Sequence, residues 1–297
     1  MIKGVVFVGL GATSYGMLAT FVKLAYQEGF TTAEVITSQF TIGIFILFLL
    51  LTLQNIKNKN SATKTTKTAL YKLMFAGTTL GMTSIFYYLA VKYIPVSIAI
   101  VLLMQTVWMG VILEMIIDRK VPSLQKIMAV LIVLIGTFLA TNLFNQNILL
   151  DWRGFSWGML AASSFTTTMY TANRIAIGSS YVQRSFFMLL GGGIIVFFFA
   201  LYTQNTPFNF AIFLRWGIVL SLFGTIIPPL LMNAGFPITG IGLGSIISTL
   251  ELPVSVTMAY FLLEEEVLSI QWIGIVLIIT AIVLMNLNFN PKAKSQN

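Results

Sequence analysis

The chain has 297 residues, of which 57% are hydrophobic and only 9% are charged, with a net charge of +8. Because a soluble domain carries roughly a quarter charged residues, this composition predicts an integral membrane protein. The sequence has no cysteine and no histidine, which excludes disulfides, thiol chemistry, the most common general base and the most common zinc ligand.

Ten apolar runs are long enough to cross a bilayer as helices, which takes about 20 residues. Their approximate limits are 4–25, 32–53, 70–91, 96–117, 123–142, 154–174, 183–203, 212–233, 240–263 and 270–288. The first run extends well beyond the apolar core of a signal peptide, so we interpret it as an uncleaved helix. The predicted fold is an all-α integral membrane protein with ten transmembrane helices.

The positions of the basic residues predict the orientation of these helices. With the N-terminus in the cytoplasm, thirteen of the seventeen basic residues fall on the cytoplasmic side, and the C-terminus also lies inside. The exceptions are Lys23, Lys92, Arg153 and Arg215. The polar, lysine-rich stretch at residues 55–67 is interpreted either as a solvated cytoplasmic linker or as a contact with lipid head groups.

A sequence repeat relates the two halves of the chain. Residues 121–132, VPSLQKIMAVLI, recur at 267–278 as VLSIQWIGIVLI, with seven of twelve residues identical. A weaker match relates residues 3–23 to 153–173. With five spans in each copy, the second copy crosses the membrane in the opposite direction, as in the inverted repeats of transporters. The predicted domains are two five-helix repeats, 1–147 and 148–297.

Glu251 is the clearest ionisable residue inside a predicted span. An ionisable group costs several kcal/mol in a bilayer and therefore usually faces a cavity or a partner. Gly244, Ser248, Glu251 and Ser255 follow helical spacing and form one small, polar face. The carboxylate could bind a cationic solute or a proton; the alternative is a hydrogen bond that holds two helices together.

The repeat places Gln105 at the position of Glu251, and Trp108 lies one turn further along the same span. Gln105 either contributes to a solute pathway or joins two helices. Lys23 could meet a solute carboxylate, although a lysine near a helix end more often extends to the head groups. We also include three tyrosines as candidates for an aromatic pathway wall, with interfacial packing as the alternative. They are Tyr15, Tyr87 and Tyr88.

Prolines predict irregular helices in the second half. Pro228 and Pro229 lie inside the eighth span, which we expect to be kinked or partly unwound. Pro253 follows Glu251 and removes a backbone hydrogen bond beside that carboxylate. Broken helices often line the cavities of transporters, although a simple kink whose hydrogen bonds are restored by neighbouring groups is the alternative.

Three passages carry a resemblance to a known family. They are SYGMLATFVK at residues 14–23, YYLAVKYIPVSIAIVLLMQ at 87–105 and LELPVSVTMAYFLLEEEVLSIQWIG at 250–274. Together with the ten spans in two inverted halves, they resemble the EamA-type members of the drug/metabolite transporter superfamily. One departure is Val107, where the family often has proline. The resemblance implies secondary transport, commonly export of amino acids or other small metabolites across a bacterial cytoplasmic membrane.

The sequence therefore predicts a transporter that moves a small solute by alternating access and uses no cofactor or metal. The other expected partner is the bilayer, with no nucleic acid. Coupling to a proton and facilitated diffusion down a gradient both stay open, as do a monomer and a homodimer. A membrane receptor or assembly factor that does not transport is the alternative. An intramembrane enzyme is not expected, since the spans lack histidine and a pair of aspartates.

Overall fold

The structure is a computed structural model, and it describes residues 1–57, 66–94, 96–141, 151–264 and 266–286. Most of the lysine-rich stretch at 55–67 and the C-terminal lysines lie outside the described residues. All described secondary structure is helical. The α-helices are α1 (Ile2–Gln27), α2 (Thr32–Lys57), α3 (Lys67–Tyr93), α4 (Val96–Leu103), α5 (Thr106–Asp118), α6 (Leu124–Ala140), α7 (Trp152–Arg174), α8 (Tyr181–Thr203), α9 (Ile218–Ser221), α10 (Ile227–Thr239), α11 (Ile241–Ser248), α12 (Glu251–Leu262) and α13 (Ser269–Asn286).

Among the described residues, seven helical stretches are long and apolar enough to cross a membrane. They are Ile2–Gln27, Thr32–Lys57, Lys67–Ala90, Ile98–Asp118, Tyr181–Thr203, Phe213–Thr239 and Ile241–Leu262. Two further apolar helices, Leu124–Ala140 and Ser269–Met285, are shorter. Helix α7 is long, but serine and threonine make it more polar than the others. Large apolar side chains such as Phe75, Leu201 and Leu214 are exposed on the outside, as expected for a surface in contact with lipid.

The packing of the first half recurs, with partners exchanged, in the second half. Helix α1 packs against α10 and α12, and its counterpart α7 packs against α3 and α4. The Ser14 hydroxyl of α1 donates to the Phe223 carbonyl at 3.1 Å. The Ser164 hydroxyl of α7 donates to the Thr79 carbonyl at 2.8 Å. Each half therefore contacts the other half through a similar serine hydrogen bond.

The repeated sequence motif forms the contact between α6 and α13. Its shared glutamine is Gln125 at the start of α6 and Gln271 at the start of α13. The Gln125 amide donates to the Leu284 carbonyl near the end of α13 at 2.6 Å. The Gln271 amide donates to the Ala140 carbonyl at the end of α6 at 2.9 Å. Each glutamine thus binds a carbonyl near the C-terminus of the other helix, so α6 and α13 run antiparallel.

Glycines allow α3 and α8 to approach closely. A Cβ at Gly77 would collide with the Met188 carbonyl, and a Cβ at Gly191 would collide with the Met74 carbonyl. Both obstacles are backbone atoms, which cannot turn aside as a side chain can. Small residues of this kind are the usual means of bringing helices together where lipid removes the hydrophobic driving force.

Candidate functional site

Two spans each contain an interruption of the α-helical hydrogen-bond pattern near the middle, which we call a helix break although the backbone keeps helical dihedral angles. The two breaks occupy equivalent places in the repeat. Helix α4 ends at Leu103 and α5 begins at Thr106; α11 ends at Ser248 and α12 begins at Glu251. At each break a backbone hydrogen bond joins residues three apart in the chain, where an α-helix would join residues four apart. The Gln105 amide donates to the Leu102 carbonyl at 3.1 Å, and the Leu250 amide donates to the Ile247 carbonyl at 3.1 Å.

Glu251 is the first residue of α12 and is partly exposed. Its carboxylate forms no hydrogen bond or ion pair with any residue that the structure describes. Gly16 allows α1 to lie against the start of α12, since a Cβ at Gly16 would collide with the backbone carbonyl of Glu251 and with Val254. Tyr15 and Tyr87 lie close enough for the Glu251 charge to act on their hydroxyls. A single carboxylate thus sits at a helix break beside two phenol rings.

Gln105 bridges the break between α4 and α5. Its side-chain amide donates to the Val101 carbonyl at 3.0 Å, replacing the backbone bond that the break removes. Its side-chain oxygen accepts a hydrogen bond from the Trp108 indole at 2.8 Å. Both polar atoms of the Gln105 amide are therefore engaged within its own span. Trp108 is partly buried against the central hydrophobic cluster that also holds Tyr15 and Tyr87.

The two predicted serines lie in different surroundings. Ser248 is 2% exposed, and its hydroxyl donates to the Gly244 carbonyl of the same helix at 2.9 Å. Ser255 lies one turn beyond Glu251 on α12 and is partly exposed. The structure therefore brings Ser255, and not Ser248, to an accessible position near the carboxylate.

The remaining candidates lie further from Glu251. Tyr88 contacts the Tyr87 ring edge-on, with 6.1 Å between centroids, and hydrogen-bonds Tyr26. The Tyr26 hydroxyl in turn donates to the Thr32 hydroxyl at 3.2 Å, at the junction of α1 and α2. Lys23 is exposed two turns beyond Tyr15 toward that junction. Tyr88 and Lys23 thus belong to the end of the bundle and not to the neighbourhood of the break.

The prolines lie at the start of helices. Pro253 is the third residue of α12, where a proline is tolerated because first-turn amides have no helical acceptor. The break itself precedes Glu251. Pro228 and Pro229 are the second and third residues of α10, directly after a π-helical turn at Leu222–Ile226, and a second π turn lies at Phe213–Gly217. The span from Phe213 to Thr239 stays helical, so the prolines change its register without unwinding it.

The helices on the two sides of a break differ in how deeply they are buried. Every residue of α11 is buried, whereas in α12 only Leu252 and Pro253 are buried. Helix α11 packs against α5, and the Ser245 hydroxyl donates to the Val107 carbonyl at 3.3 Å. Beyond the breaks, α4 packs mainly against α7 and α12 mainly against α1. Residues 254–259 of α12 are all partly exposed, and we use the name cleft for the region beside Glu251 between this part of α12 and α1.

Ion pairs close the opposite side, which we call the Lys126 end. Glu114 pairs with Lys126, and its carboxylate lies so close to Gly242 that a Cβ there would collide with it. Asp118 of the first half pairs with Arg174 of the second. A cavity of about 290 Å³ lies here, lined by Val111, Glu114, Met115, Asp118, Lys120, Val121, Pro122, Ser123 and Lys126. It is separate from the cleft, because the packed α5 and α11 lie between them.

Arg184 is a buried residue with a structural role that the sequence did not single out. It is 2% exposed, in the first turn of α8. Its guanidinium donates to the carbonyls of Ile175, Ala172 and Thr171 at the end of α7, and to the Asn233 carbonyl at 2.7 Å. Pro237, four residues after Asn233, has no amide to offer that carbonyl. A proline at this spacing is the sequence signal that could have indicated a donor nearby.

Glu34 is a buried carboxylate with a purely structural role. It accepts the Thr31 amide at 2.8 Å, the Asn209 amide at 2.7 Å and the Gln204 side chain at 3.2 Å. The Thr31 hydroxyl accepts the Glu34 amide at 3.2 Å. This reciprocal pair is a capping box that fixes the start of α2. In the described part of the chain, no three acidic side chains come together as a metal site would need.

These features define a multi-pass helical membrane protein built from two related halves around a broken-helix cleft. A family model of the EamA-like transporter family matches the sequence twice, over residues 2–142 and 152–287. The chain therefore belongs to the EamA-like transporter family, which confirms the resemblance seen in the sequence.

The fold also occurs among solved structures. One, described as "Crystal structure of protein", is 12% identical to this chain and superimposes with a TM-score of 0.78. The match covers 95% of this chain and 97% of that chain. At this identity the likeness shows the fold alone. No curated protein sequence matches the chain.

Proposed function

We propose that this protein is a secondary transporter that binds a small solute in the cleft and moves it across the membrane by alternating access. The observation that carries the proposal is the Glu251 carboxylate, which sits at a helix break, partly exposed and without a partner among the described residues. A group that is costly in a membrane and unused in packing is typical of a transport site. The broken helices α4–α5 and α11–α12 supply a site between the two halves.

Ten spans with both termini in the cytoplasm are part of this proposal. The antiparallel contact between α6 and α13, which are repeat mates, supports an inverted second half. Placing the Lys126 end in the cytoplasm satisfies the positive-inside rule. In that orientation the cleft opens to the outside, and the Glu114–Lys126 and Asp118–Arg174 pairs close the cytoplasmic side. Only the Asp118–Arg174 pair joins the two halves, so this is the pair that should separate when the cleft opens inward.

Export of amino acids or related amine-bearing solutes across a bacterial cytoplasmic membrane is the specific activity that we propose. Glu251 can pair with the ammonium group of the solute, and the rings of Tyr15 and Tyr87 can cover the apolar part of the solute. The same carboxylate could bind a proton in the alternate half of the cycle, which would couple transport to the proton gradient.

Solute counterflow into proteoliposomes tests the proposal, using labelled amino acids and cationic metabolites. The wild-type protein should exchange at least one of these solutes. Glu251→Gln should slow the exchange about tenfold or more, or change its pH dependence, while the protein still inserts. Glu28→Gln is the matched control, since Glu28 is an exposed carboxylate paired with Arg215 at 3.3 Å, and it should stay within about twofold of wild type.

Two results would contradict the proposal. If the wild-type protein exchanged none of the solutes, a receptor or assembly factor would become the better interpretation. If Glu251→Gln transported normally at every pH, Glu251 would have a structural role and the site would have to lie elsewhere.

A further inference from the structure

The ends of the helices and their contacts fix which residues of the two halves correspond. Helix α3 ends at Tyr93 and α10 ends at Thr239, 146 residues later, which is also the spacing of the repeated motif. Gly154 of α7 lies against Tyr93, and Gly4 of α1 lies against Thr239. Helices α1 and α7 therefore correspond as well, at a spacing of 150.

The two tyrosines near Glu251 have counterparts in the other half of the chain. Tyr15 corresponds to Phe165, and the two rings meet edge-on with 6.3 Å between their centroids. Residues that correspond to each other and also touch must lie close to the axis that relates the two halves, near the middle of the membrane. Tyr87 of α3 corresponds to Asn233 of α10. An asparagine therefore occupies the place in the second half that a tyrosine occupies beside the cleft.

A cavity of about 20 Å³, large enough for one water molecule, lies behind the Tyr15 ring. Apart from that ring, it is lined mainly by residues between 165 and 172 of α7 and between 229 and 236 of α10. Both helices continue past the cavity to the Lys126 end, so the cavity lies on that side of Tyr15. Among its described lining residues, only Tyr15, Thr168 and Asn233 have polar side chains.

Asn233 has an unused hydrogen-bond acceptor and lines this cavity. The residue is 2% exposed, and its side-chain Nδ2 donates to the Ser185 hydroxyl at 3.0 Å. Its backbone carbonyl accepts the Arg184 guanidinium at 2.7 Å. These two bonds fix the asparagine, and its Oδ1 has no hydrogen-bond partner among the described residues. The Thr168 hydroxyl, in contrast, is hydrogen-bonded to the Thr79 hydroxyl at 2.8 Å. A buried acceptor without a protein partner indicates that another molecule can use it.

We propose that this cavity is a second solute subsite, in which the Asn233 side-chain oxygen accepts a hydrogen bond from an N–H or O–H group of the solute. This inference deepens the proposed transport function and rests on it. The subsite is closed in the structure, because the Asn173 side chain of α7 donates to the Phe236 carbonyl of α10 at 2.6 Å. When α7 and α10 separate there, the cavity widens toward the Lys126 end. An exported solute then meets Asn233 first and Glu251 second.

Cysteine accessibility tests the subsite, since the natural chain has no cysteine. Asn233→Cys and Thr168→Cys are made in the full-length protein, in sealed membrane vesicles of both orientations. Two membrane-impermeant methanethiosulfonates are added, the cationic 2-trimethylammonioethyl reagent and the anionic 2-sulfonatoethyl reagent. Gly178→Cys and Asn205→Cys identify the two sides. We expect both cavity cysteines to react at least tenfold faster from the Gly178 side than from the Asn205 side.

Thr137→Cys is the matched control for Thr168→Cys. Thr137 is also a buried threonine of a span, 1% exposed, but it lies on α6 and does not line the cavity. We expect its cysteine to react from neither side. Reaction at Thr168→Cys that is no faster than at Thr137→Cys would overturn the subsite.

The hydrogen bond to the solute is tested with Asn233→Leu, which keeps the size of the side chain and removes the acceptor. Sided counterflow uses the labelled amino acid that the wild-type protein exchanges fastest. The half-saturating concentration should rise at least fivefold on the Gly178 side and stay within about twofold on the other side. Unchanged values on both sides would overturn the role of Asn233.

The outcomes separate this inference from the proposed function. If solutes are exchanged while the cavity cysteines react from neither side, transport stands and the second subsite fails. If the cavity cysteines react from the Gly178 side and no solute is exchanged, the inner opening stands and the transport function fails.

Discussion

At the scale of single residues, the environment decides which of two identical side chains is accessible near Glu251. Ser248 and Ser255 lie on the same sequence face, but the Ser248 hydroxyl is buried and bonded to its own helix. Ser255→Ala should therefore change the apparent affinity for the transported solute by about threefold or more. Ser248→Ala should leave affinity unchanged and cost at most about 1 kcal/mol of stability. Counterflow at several solute concentrations measures the affinities, and equal effects of both changes would contradict the assignment.

Arg184 should contribute more to stability than any basic residue on the surface. Arg184→Gln leaves several buried carbonyls without a donor, including the one that Pro237 cannot satisfy. We expect a loss of about 2–4 kcal/mol, seen as a lower unfolding midpoint in detergent. Arg174→Gln, which breaks a partly exposed pair with Asp118, should cost about 0.5 kcal/mol. Similar midpoints for the two variants would show that the carbonyl contacts of Arg184 contribute little.

At the scale of helices, close backbone contact limits what α3 and α8 can accept. Gly191→Ala places a methyl group against the Met74 carbonyl, so the two helices must separate. We expect a loss of about 2 kcal/mol or more, despite the higher helix propensity of alanine. Gly178→Ala is the control, because open space surrounds that glycine. Fluorescence-detected gel filtration after heating measures both, and an unchanged Gly191→Ala variant would exclude tight α3–α8 packing.

The positions of the helix breaks could be predicted only in part from proline in the sequence. The sequence suggested irregularity at Pro253, but the equivalent span with Val107 breaks at the corresponding place. A proline is therefore not the common cause. Each break has a side-chain hydrogen bond within its own span: the Gln105 amide donates to the Val101 carbonyl at one, and the Thr249 hydroxyl donates to the Ile246 carbonyl at 2.6 Å at the other. Helix propensity does not predict which side chain will hydrogen-bond the carbonyl that a helix break leaves free.

At the scale of the whole molecule, the orientation can be measured directly because the chain has no cysteine. A single cysteine at the exposed Asn205 should react with a membrane-impermeant maleimide added to intact cells. A cysteine at Gly178, in the loop between α7 and α8, should react only after permeabilisation. The physical reason is the excess of basic residues on the predicted cytoplasmic side. The reverse labelling pattern would invert the proposed orientation and place the open cleft toward the cytoplasm.

The sequence by itself determined the membrane class, the helical fold, the two repeats and the family. These follow from composition, apolar run length and a repeated motif, which are properties of residues near one another in the chain. It also indicated Glu251, because a carboxylate within an apolar run is conspicuous without any structure. Only the tertiary structure decided that Gln105 bridges a break, that Ser248 is buried and that Arg184 caps α7 and binds the carbonyl left by Pro237. The Arg184 contacts join α8 to residues far away in the chain, and the burial of Ser248 depends on the helices packed around it. The Gln105 contact is local, but the helix break that frees the Val101 carbonyl is not visible in the sequence.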